Sequence, residues 1–71
     1  MDYSKLRGLI REKFHTEGAF AAALEMSAPA LSYKLNGKDE WRGREIARAC
    51  DLLNIQPEQI AEYFFTPKVA K

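Results

Sequence analysis

The chain is poor in the residues that build disulfides, metal centres and membrane spans. Its 71 residues include one cysteine, one histidine, four glycines and three prolines. Cys50 has no second cysteine for an internal disulfide, and a single His with a single Cys makes neither a metal site nor a nucleophile–base pair. The longest apolar run, residues 19–24, is far shorter than a membrane span, and no glycine-rich phosphate loop is present. These absences predict a cytoplasmic protein with no metal, no cofactor, no small-molecule ligand and no membrane partner.

Length sets a second limit. Seventy-one residues suffice for one small domain and are too few for two, so residues 1–71 are treated as a single domain. A domain of this size buries only about 60% of the surface that its unfolded chain exposes. Few residues remain to shape a deep substrate pocket beside a core, and we therefore expect that the protein is not an enzyme.

The charge is nearly balanced overall but uneven along the chain. The formal net charge is +1. Residues 34–48 contain five basic and three acidic side chains, whereas residues 49–62 contain three acids and no Lys or Arg. A net charge this small does not by itself indicate a nucleic-acid binder, but its distribution places a basic segment in the middle of the chain.

Apolar residues recur at helical spacing almost throughout, which predicts an all-α fold with five helices. In the first helix, Ser4 to Phe14, one stripe contains Tyr3, Leu6, Ile10 and Phe14. The other helices are expected from a Thr16 cap to before Glu25, then over about 28–35, 44–53 and 57–64. No repeat or linker-like stretch interrupts them.

The third helix has clear start and stop signals. Ser27 is a good N-cap, and Pro29 is tolerated because it lies in the first turn. Asn36 and Gly37 both accept the left-handed conformation that ends helices. In the following loop, Trp41 is expected to cover the third and fourth helices rather than to stack on a base. Cys50 is expected to be a small buried hydrophobe.

The segment of about 16–36 has the form of a helix-turn-helix, which is a moderate signal by pattern alone. The residue order around it resembles the phage repressor and Cro family of helix-turn-helix proteins, over nearly the whole chain. The phrases LNGKDEW, EIARACDLLNI and YFFTPKV are more specifically similar to short Cro-like regulators of phages of Gram-positive bacteria. The matching residues are Thr16-Glu17, Phe20-Ala21, Leu24, Ser27, Leu31-Ser32, Leu35 to Lys38, Ile46 and Leu52 to Ile55.

That resemblance implies a five-helix, lambda-repressor-like domain that binds double-stranded operator DNA, as a homodimer at least on DNA. The third helix would be the recognition helix, with its leading residues at base edges. The implied base-edge contacts are Ala28, Pro29, Ser32 and Tyr33. The implied phosphate contacts are Thr16, Ser27, Lys34, Asn36, Lys38 and Arg42. For Tyr33 the alternative is a half-exposed surface aromatic. For Lys34, Lys38 and Arg42 it is a solvated surface charge, and for Asn36 it is helix termination alone.

Two residues depart from the family pattern. Glu25 stands where the family usually has a turn glycine. A non-glycine with positive φ costs roughly 1 kcal/mol, so either Glu25 is mildly strained or the turn differs slightly from that of the family. Glu17 stands where the family often has a glutamine that contacts phosphate, and a carboxylate repels phosphate.

The C-terminal segment, 63–71, is the other informative region. Exposed phenylalanines on a monomer would be an apolar liability. One reading packs Phe64 and Phe65 against the first helix. The other places Phe64, Phe65 and Val69 at a two-fold dimer interface.

The sequence therefore predicts a Cro-like phage transcriptional regulator, most simply a repressor. A second hypothesis is a protein-binding helical module, such as an anti-repressor that has lost specific DNA reading. It is motivated by the poor hydrogen-bonding capacity of Ala28, Pro29 and Ala30 and by the acidic Glu17.

Overall fold

The computed structural model describes residues 2–65, and this part of the chain is helical with no strand. The elements are α1 (Ser4–Phe14), α2 (Glu17–Ala23), α3 (Ala28–Leu35), α4 (Gly43–Leu53), a 3-10 turn (Pro57–Gln59) and α5 (Ile60–Phe64). The predicted five-helix, all-α fold is confirmed. No helix within residues 2–65 is long and apolar enough to cross a membrane.

The helix starts follow from their capping residues. The Thr16 hydroxyl accepts the Ala19 backbone N–H at 3.0 Å, and the Ser27 hydroxyl accepts the Ala30 N–H at 3.2 Å. Each bond satisfies one of the backbone donors that a helix start leaves unpaired. Both predicted N-caps are therefore confirmed, and they fix the first turns of α2 and α3.

The end of α3 differs in one detail from the prediction. Gly37 has φ +75°, the left-handed conformation expected of it, but Asn36 has φ −93° and does not share it. One residue with positive φ is enough to turn the chain, because the Gly37 and Lys38 N–H groups then bond back to the Lys34 and Tyr33 carbonyls.

The core lies where α1, α2, α3 and α4 meet, and α5 closes one end. The largest fully buried side chains are Phe20, Phe64, Leu6, Ile10, Leu31 and Leu53. Residues at positions 6 and 10 and at 31 and 35 are buried at the spacing of one helical turn, as the periodicity predicts. Cys50 is buried too, as expected, and this burial raises the pKa of its thiol.

Trp41 covers a different part of the core than the sequence suggested. Its ring lies edge-on to Phe64, with ring centres 5.1 Å apart, and 6.5 Å from the Tyr3 ring. It therefore closes the core where α1 and α5 meet, rather than over α3 and α4 alone. This contact was not predictable because it joins the loop to segments far away in sequence.

The C-terminal helix is shorter than predicted. The expected helix over 57–64 begins as a 3-10 turn at Pro57 and becomes α-helical only at Ile60. Phe64 is 1% exposed and belongs to the core, so its placement at a dimer interface is wrong. The competing reading, in which it packs inside the monomer, is correct for Phe64 alone. Phe65 remains 54% exposed, and Val69 lies outside the described residues.

Candidate functional site

One side of α3 is open to solvent and carries the four residues predicted to reach base edges. We call it the α3 face: Ala28, Pro29, Ser32 and Tyr33. Ala28 and Pro29 are exposed, Ser32 is partly exposed, and Tyr33 is 57% exposed. Within residues 2–65, Tyr33 and Phe65 are the exposed large hydrophobic side chains. The α3 face is therefore a mainly apolar surface with one aromatic ring.

The hydrogen-bonding groups beside this face are largely engaged within the protein. The Asn36 side-chain amide donates to the Ser32 hydroxyl at 3.3 Å, and its carbonyl oxygen accepts from the Arg7 guanidinium at 2.7 Å. Asn36 was predicted to contact phosphate, with helix termination as the alternative. The structure supports the alternative, because Asn36 is the C-cap of α3, and its side chain also bridges α3 and α1.

Lys34 is not available to phosphate, so its predicted role is wrong. The residue is only 4% exposed. Its ammonium group contacts the Asp39 carboxylate at 3.2 Å, the Glu45 carboxylate at 3.1 Å and the Glu40 carbonyl oxygen at 2.9 Å. The physical reason is its position, because residues 31, 34 and 35 fall on one inward side of α3.

The acids around Lys34 are held in their charged form. The Lys34 ammonium and the Glu40 backbone N–H both bond the Asp39 carboxylate and lower its pKa. Partial burial opposes ionisation of Glu45, but the Arg42 backbone N–H and Lys34 outweigh it, and the pKa of Glu45 is lowered. The charge of Lys34 is thus neutralised locally, and the α3 face loses the cation that was expected beside it.

The remaining predicted phosphate contacts include exposed cations and hydroxyl groups that cap helices. Lys38 and Arg42 are exposed, and the backbone N–H of Arg42 donates to Glu45 at 2.9 Å where α4 begins. Thr16 and Ser27 use their hydroxyls as helix caps. Of these four residues, only Lys38 and Arg42 are exposed cations, and both belong to the segment between α3 and α4.

The turn between α2 and α3 contains Glu25, the residue that stands where Cro-like proteins usually have glycine. Glu25 has φ +62°, so this turn keeps the positive φ that usually favours glycine, although the residue is not glycine. Arg48 of α4 holds the turn, because its guanidinium donates to the Glu25 carboxylate at 2.8 Å and to the Ala23 carbonyl at 3.3 Å. These partners lie 25 and 23 residues from Arg48 along the chain, so no local sequence pattern predicts the contact.

Arg7 of α1 connects three helices, and sequence reasoning missed this too. Its guanidinium bonds Asn36 after α3 and lies 3.6 Å from the Glu17 carboxylate in α2. Glu17, which was predicted to disfavour phosphate, therefore has a cationic partner on α1. The partners lie 29 and 10 residues away along the chain, beyond the reach of periodicity.

The described residues hold no cluster of three or more His, Cys, Asp or Glu side chains that could bind a metal ion. The α3 face can bury apolar surface area against a binding partner. An exposed tyrosine ring beside small apolar residues is typical of a protein contact surface, whose centre is poor in charge. A nucleic-acid surface needs an array of cations, and here the nearest lysine is buried.

Comparison with solved structures identifies a relative that is similar over nearly the whole chain. The chain is 43% identical to the modulator of repression (MOR) of the temperate bacteriophage TP901-1 from Lactococcus lactis, known from a solution structure. The similarity covers 97% of this chain and 93% of that chain, with a TM-score of 0.81. No curated protein matches the chain.

This relative overturns the prediction of a Cro-like operator-binding regulator. By its name, the relative modulates repression, and the similarity extends over nearly all of both chains. The buried Lys34 and the hydrogen-bonded Ser32 are features that the resemblance to Cro proteins did not predict, whereas the acidic Glu17 was already visible in the sequence as a departure from that family. A family model matches residues 1–67, which is nearly the same part of the chain as the structural match covers. The chain therefore belongs to the DUF739 family of proteins of unknown function.

Proposed function

We propose that the chain is a protein-binding helical module that modulates repression in a temperate bacteriophage by contacting a repressor protein. The observation that carries this proposal is its 43% identity, over 97% of its length, to a phage modulator of repression. Two proteins this similar over nearly their whole length share a fold. The proposal corresponds to the anti-repressor hypothesis that the weak hydrogen-bonding capacity of the third helix had motivated.

The α3 face supports a protein partner. Tyrosine is enriched at the centres of protein interfaces because its ring buries a large area at a small entropy cost. Lysine is depleted there, and Lys34 is withdrawn into the interior. Ala28 and Pro29 leave the surface around the Tyr33 ring shallow, so a partner can approach closely.

The effect on repression follows from mass action. A protein that binds a repressor lowers the concentration of repressor left to occupy its operator, provided that the complex binds DNA more weakly than free repressor does. Modulation of this kind requires no catalytic group and no small ligand. Beyond the weaker DNA binding of the complex, it requires a dissociation constant comparable with the concentrations of the two proteins.

The test uses the repressor encoded by the same phage, with its operator as a labelled duplex. We expect the chain to bind the repressor in a calorimetric titration and to reduce operator occupancy in a fluorescence anisotropy assay. We expect no sequence-specific binding of the chain alone to the operator. If the chain left repressor and operator binding unaffected, or bound the operator specifically by itself, the proposal would be wrong.

A pair of aromatic variants locates the contact. Tyr33→Ala should weaken repressor binding by about tenfold or more, which corresponds to about 1.4 kcal/mol, because it removes the aromatic anchor. Phe65→Ala is the matched control, since Phe65 is an aromatic residue of nearly equal exposure, 54% against 57%, located after α5. Equal losses for both variants would show that the α3 face is not the contact surface.

A further inference from the structure

A basic cleft lies where α1 ends and α2 begins. Its volume is about 400 Å³, and it is lined by Arg7, Arg11, His15, Thr16 and Glu17. Three of these five side chains can carry a positive charge. The cleft shares no residue with the α3 face, and the name of the phage relative does not refer to it.

The three basic residues are spaced by four along the chain, at positions 7, 11 and 15. Within α1 this spacing places Arg7 and Arg11 one above the other on the same side, and His15 follows as the residue that ends the helix, with φ +71°. Like charges at this spacing repel each other by roughly 0.2–0.5 kcal/mol per pair. Within residues 2–65, Arg11 and His15 have no side-chain partner that would offset the repulsion, and the acid of the cleft, Glu17, contacts Arg7. The cleft therefore has unused capacity for an anionic group.

We propose that this cleft binds a carboxylate, an Asp or Glu side chain of the protein partner. The inference rests on the proposed function, because it assigns a second contact to the same partner. A guanidinium group suits this ligand, since its planar fork can donate two parallel hydrogen bonds to one carboxylate. Arg11 supplies that group, and Arg7 contributes charge from one helical turn away.

Two hydrogen bonds connect a residue of the cleft with a residue of the α3 face. Arg7 lines the cleft and donates to Asn36 at 2.7 Å, and Asn36 donates to Ser32 of the α3 face at 3.3 Å. The partner surface that fits this chain therefore has an apolar centre, opposite Tyr33, and an acidic side chain at its edge. The apolar part contributes affinity, whereas the charged part fixes orientation and accelerates association.

The geometry favours a carboxylate of a protein over the phosphates of DNA. A duplex presents a closely spaced row of phosphates, so the neighbours of a phosphate site must also be cationic or neutral. Here the cleft is bordered by Glu17, and Glu25 is exposed in the turn before α3. A single carboxylate needs only Arg11 within the cleft, where Arg7 at 3.6 Å offsets the charge of Glu17.

The experiment compares two charge reversals on α1. Arg11→Glu removes the central cation of the cleft, and Lys13→Glu makes the same charge change two residues later, on another side of the helix. Binding of each variant to the phage repressor is measured by calorimetry at low and high salt. We expect Arg11→Glu to weaken binding at least tenfold and to flatten its salt dependence, and Lys13→Glu to stay within about twofold of the wild type.

The outcomes separate the two proposals. Equal affinities for Arg11→Glu and Lys13→Glu, with binding retained, would overturn the cleft but leave the proposed function intact. No binding of the wild type to the repressor would overturn the proposed function and this inference with it. Tight binding of the wild type to duplex DNA, lost in Arg11→Glu, would show that the cleft takes phosphate and not a carboxylate. Circular dichroism checks folding, and Arg11→Gln, which should lose about half of the effect in free energy, replaces Arg11→Glu if that variant is unfolded.

Discussion

At the scale of single residues, the largest difference between sequence and structure is Lys34. A lysine after an apolar helix face is usually a solvated charge, and here it is 4% exposed and bonded to two carboxylates and a carbonyl. The i, i+3, i+4 spacing of 31, 34 and 35 already places it with Leu31 and Leu35 on the inward side. Acids at Asp39 and Glu45 are the second signal. Helical spacing should therefore be considered before a basic residue is assigned to DNA.

Replacing Lys34 tests the importance of this cluster. Lys34→Met keeps the length of the side chain but leaves Asp39 and Glu45 without their cation. We expect a loss of about 1–3 kcal/mol in the free energy of unfolding, at the lower end of values for buried pairs because both acids are partly solvated. Urea denaturation measures it.

The control for this substitution is Lys38→Met. Lys38 is exposed, and the same change should alter stability by no more than about 0.5 kcal/mol. Adding Glu45→Gln to Lys34→Met should restore part of the loss, since it removes the acid left without a partner. Equal stability of the two Lys→Met variants would contradict a structural role for the buried cluster.

At the scale of the helices, local sequence signals predicted helix bounds and caps, but they did not predict the contacts between residues far apart in the chain. The bounds of α1 and α3 and the caps at Thr16 and Ser27 follow from periodicity and capping chemistry, which act over four residues or fewer. The Arg7 bond to Asn36 and the Arg48 bond to Glu25 span 29 and 23 residues. No local pattern encodes them, and they decide which polar groups of the site remain free. The location of the α3 face was predictable, but its chemistry was not.

The α2–α3 turn gives the prediction at this scale. Glu25→Gly should stabilise the protein by roughly 0.5–1 kcal/mol, because glycine adopts positive φ without steric cost. The loss of the exposed ion pair with Arg48 offsets this by an amount near the lower end of about 0–1 kcal/mol. Thermal or urea unfolding measures the balance.

The ion pair and the backbone conformation can be separated by a second substitution. Glu25→Gln loses the charge but keeps a Cβ at φ +62°, so it should be slightly destabilising. If the Gly and Gln variants were equally stable, backbone strain at this turn would be negligible. Repressor binding of Glu25→Gly then reports whether a relaxed turn moves the α3 face.

At the scale of the whole molecule, the shifted pKa values predict that stability falls at both ends of the pH range. Asp39 and Glu45 have lowered pKa values in the folded protein. Their contribution is therefore present above their ordinary values of 3.8 and 4.5 and is lost as the pH falls through the folded values. Cys50 and Tyr3 behave oppositely, because burial raises their pKa values. Their contribution is present below their ordinary values of 9.0 and 10.0 and is lost as the pH rises through the folded ones.

The two limbs of this stability curve have separate origins, and substitution should remove them one at a time. We measure the free energy of unfolding in urea between about pH 3 and 5 and between about pH 8 and 10, where these groups titrate in unfolded chains. Lys34→Met should flatten the acid limb and leave the alkaline limb unchanged. Cys50→Ala should flatten the alkaline limb between about pH 8 and 10 and leave the acid limb unchanged. The slope against pH is the diagnostic quantity, because both variants also change absolute stability. A Lys34→Met variant with the wild-type acid slope would show that other carboxylates control acid unfolding, although the lysine is buried.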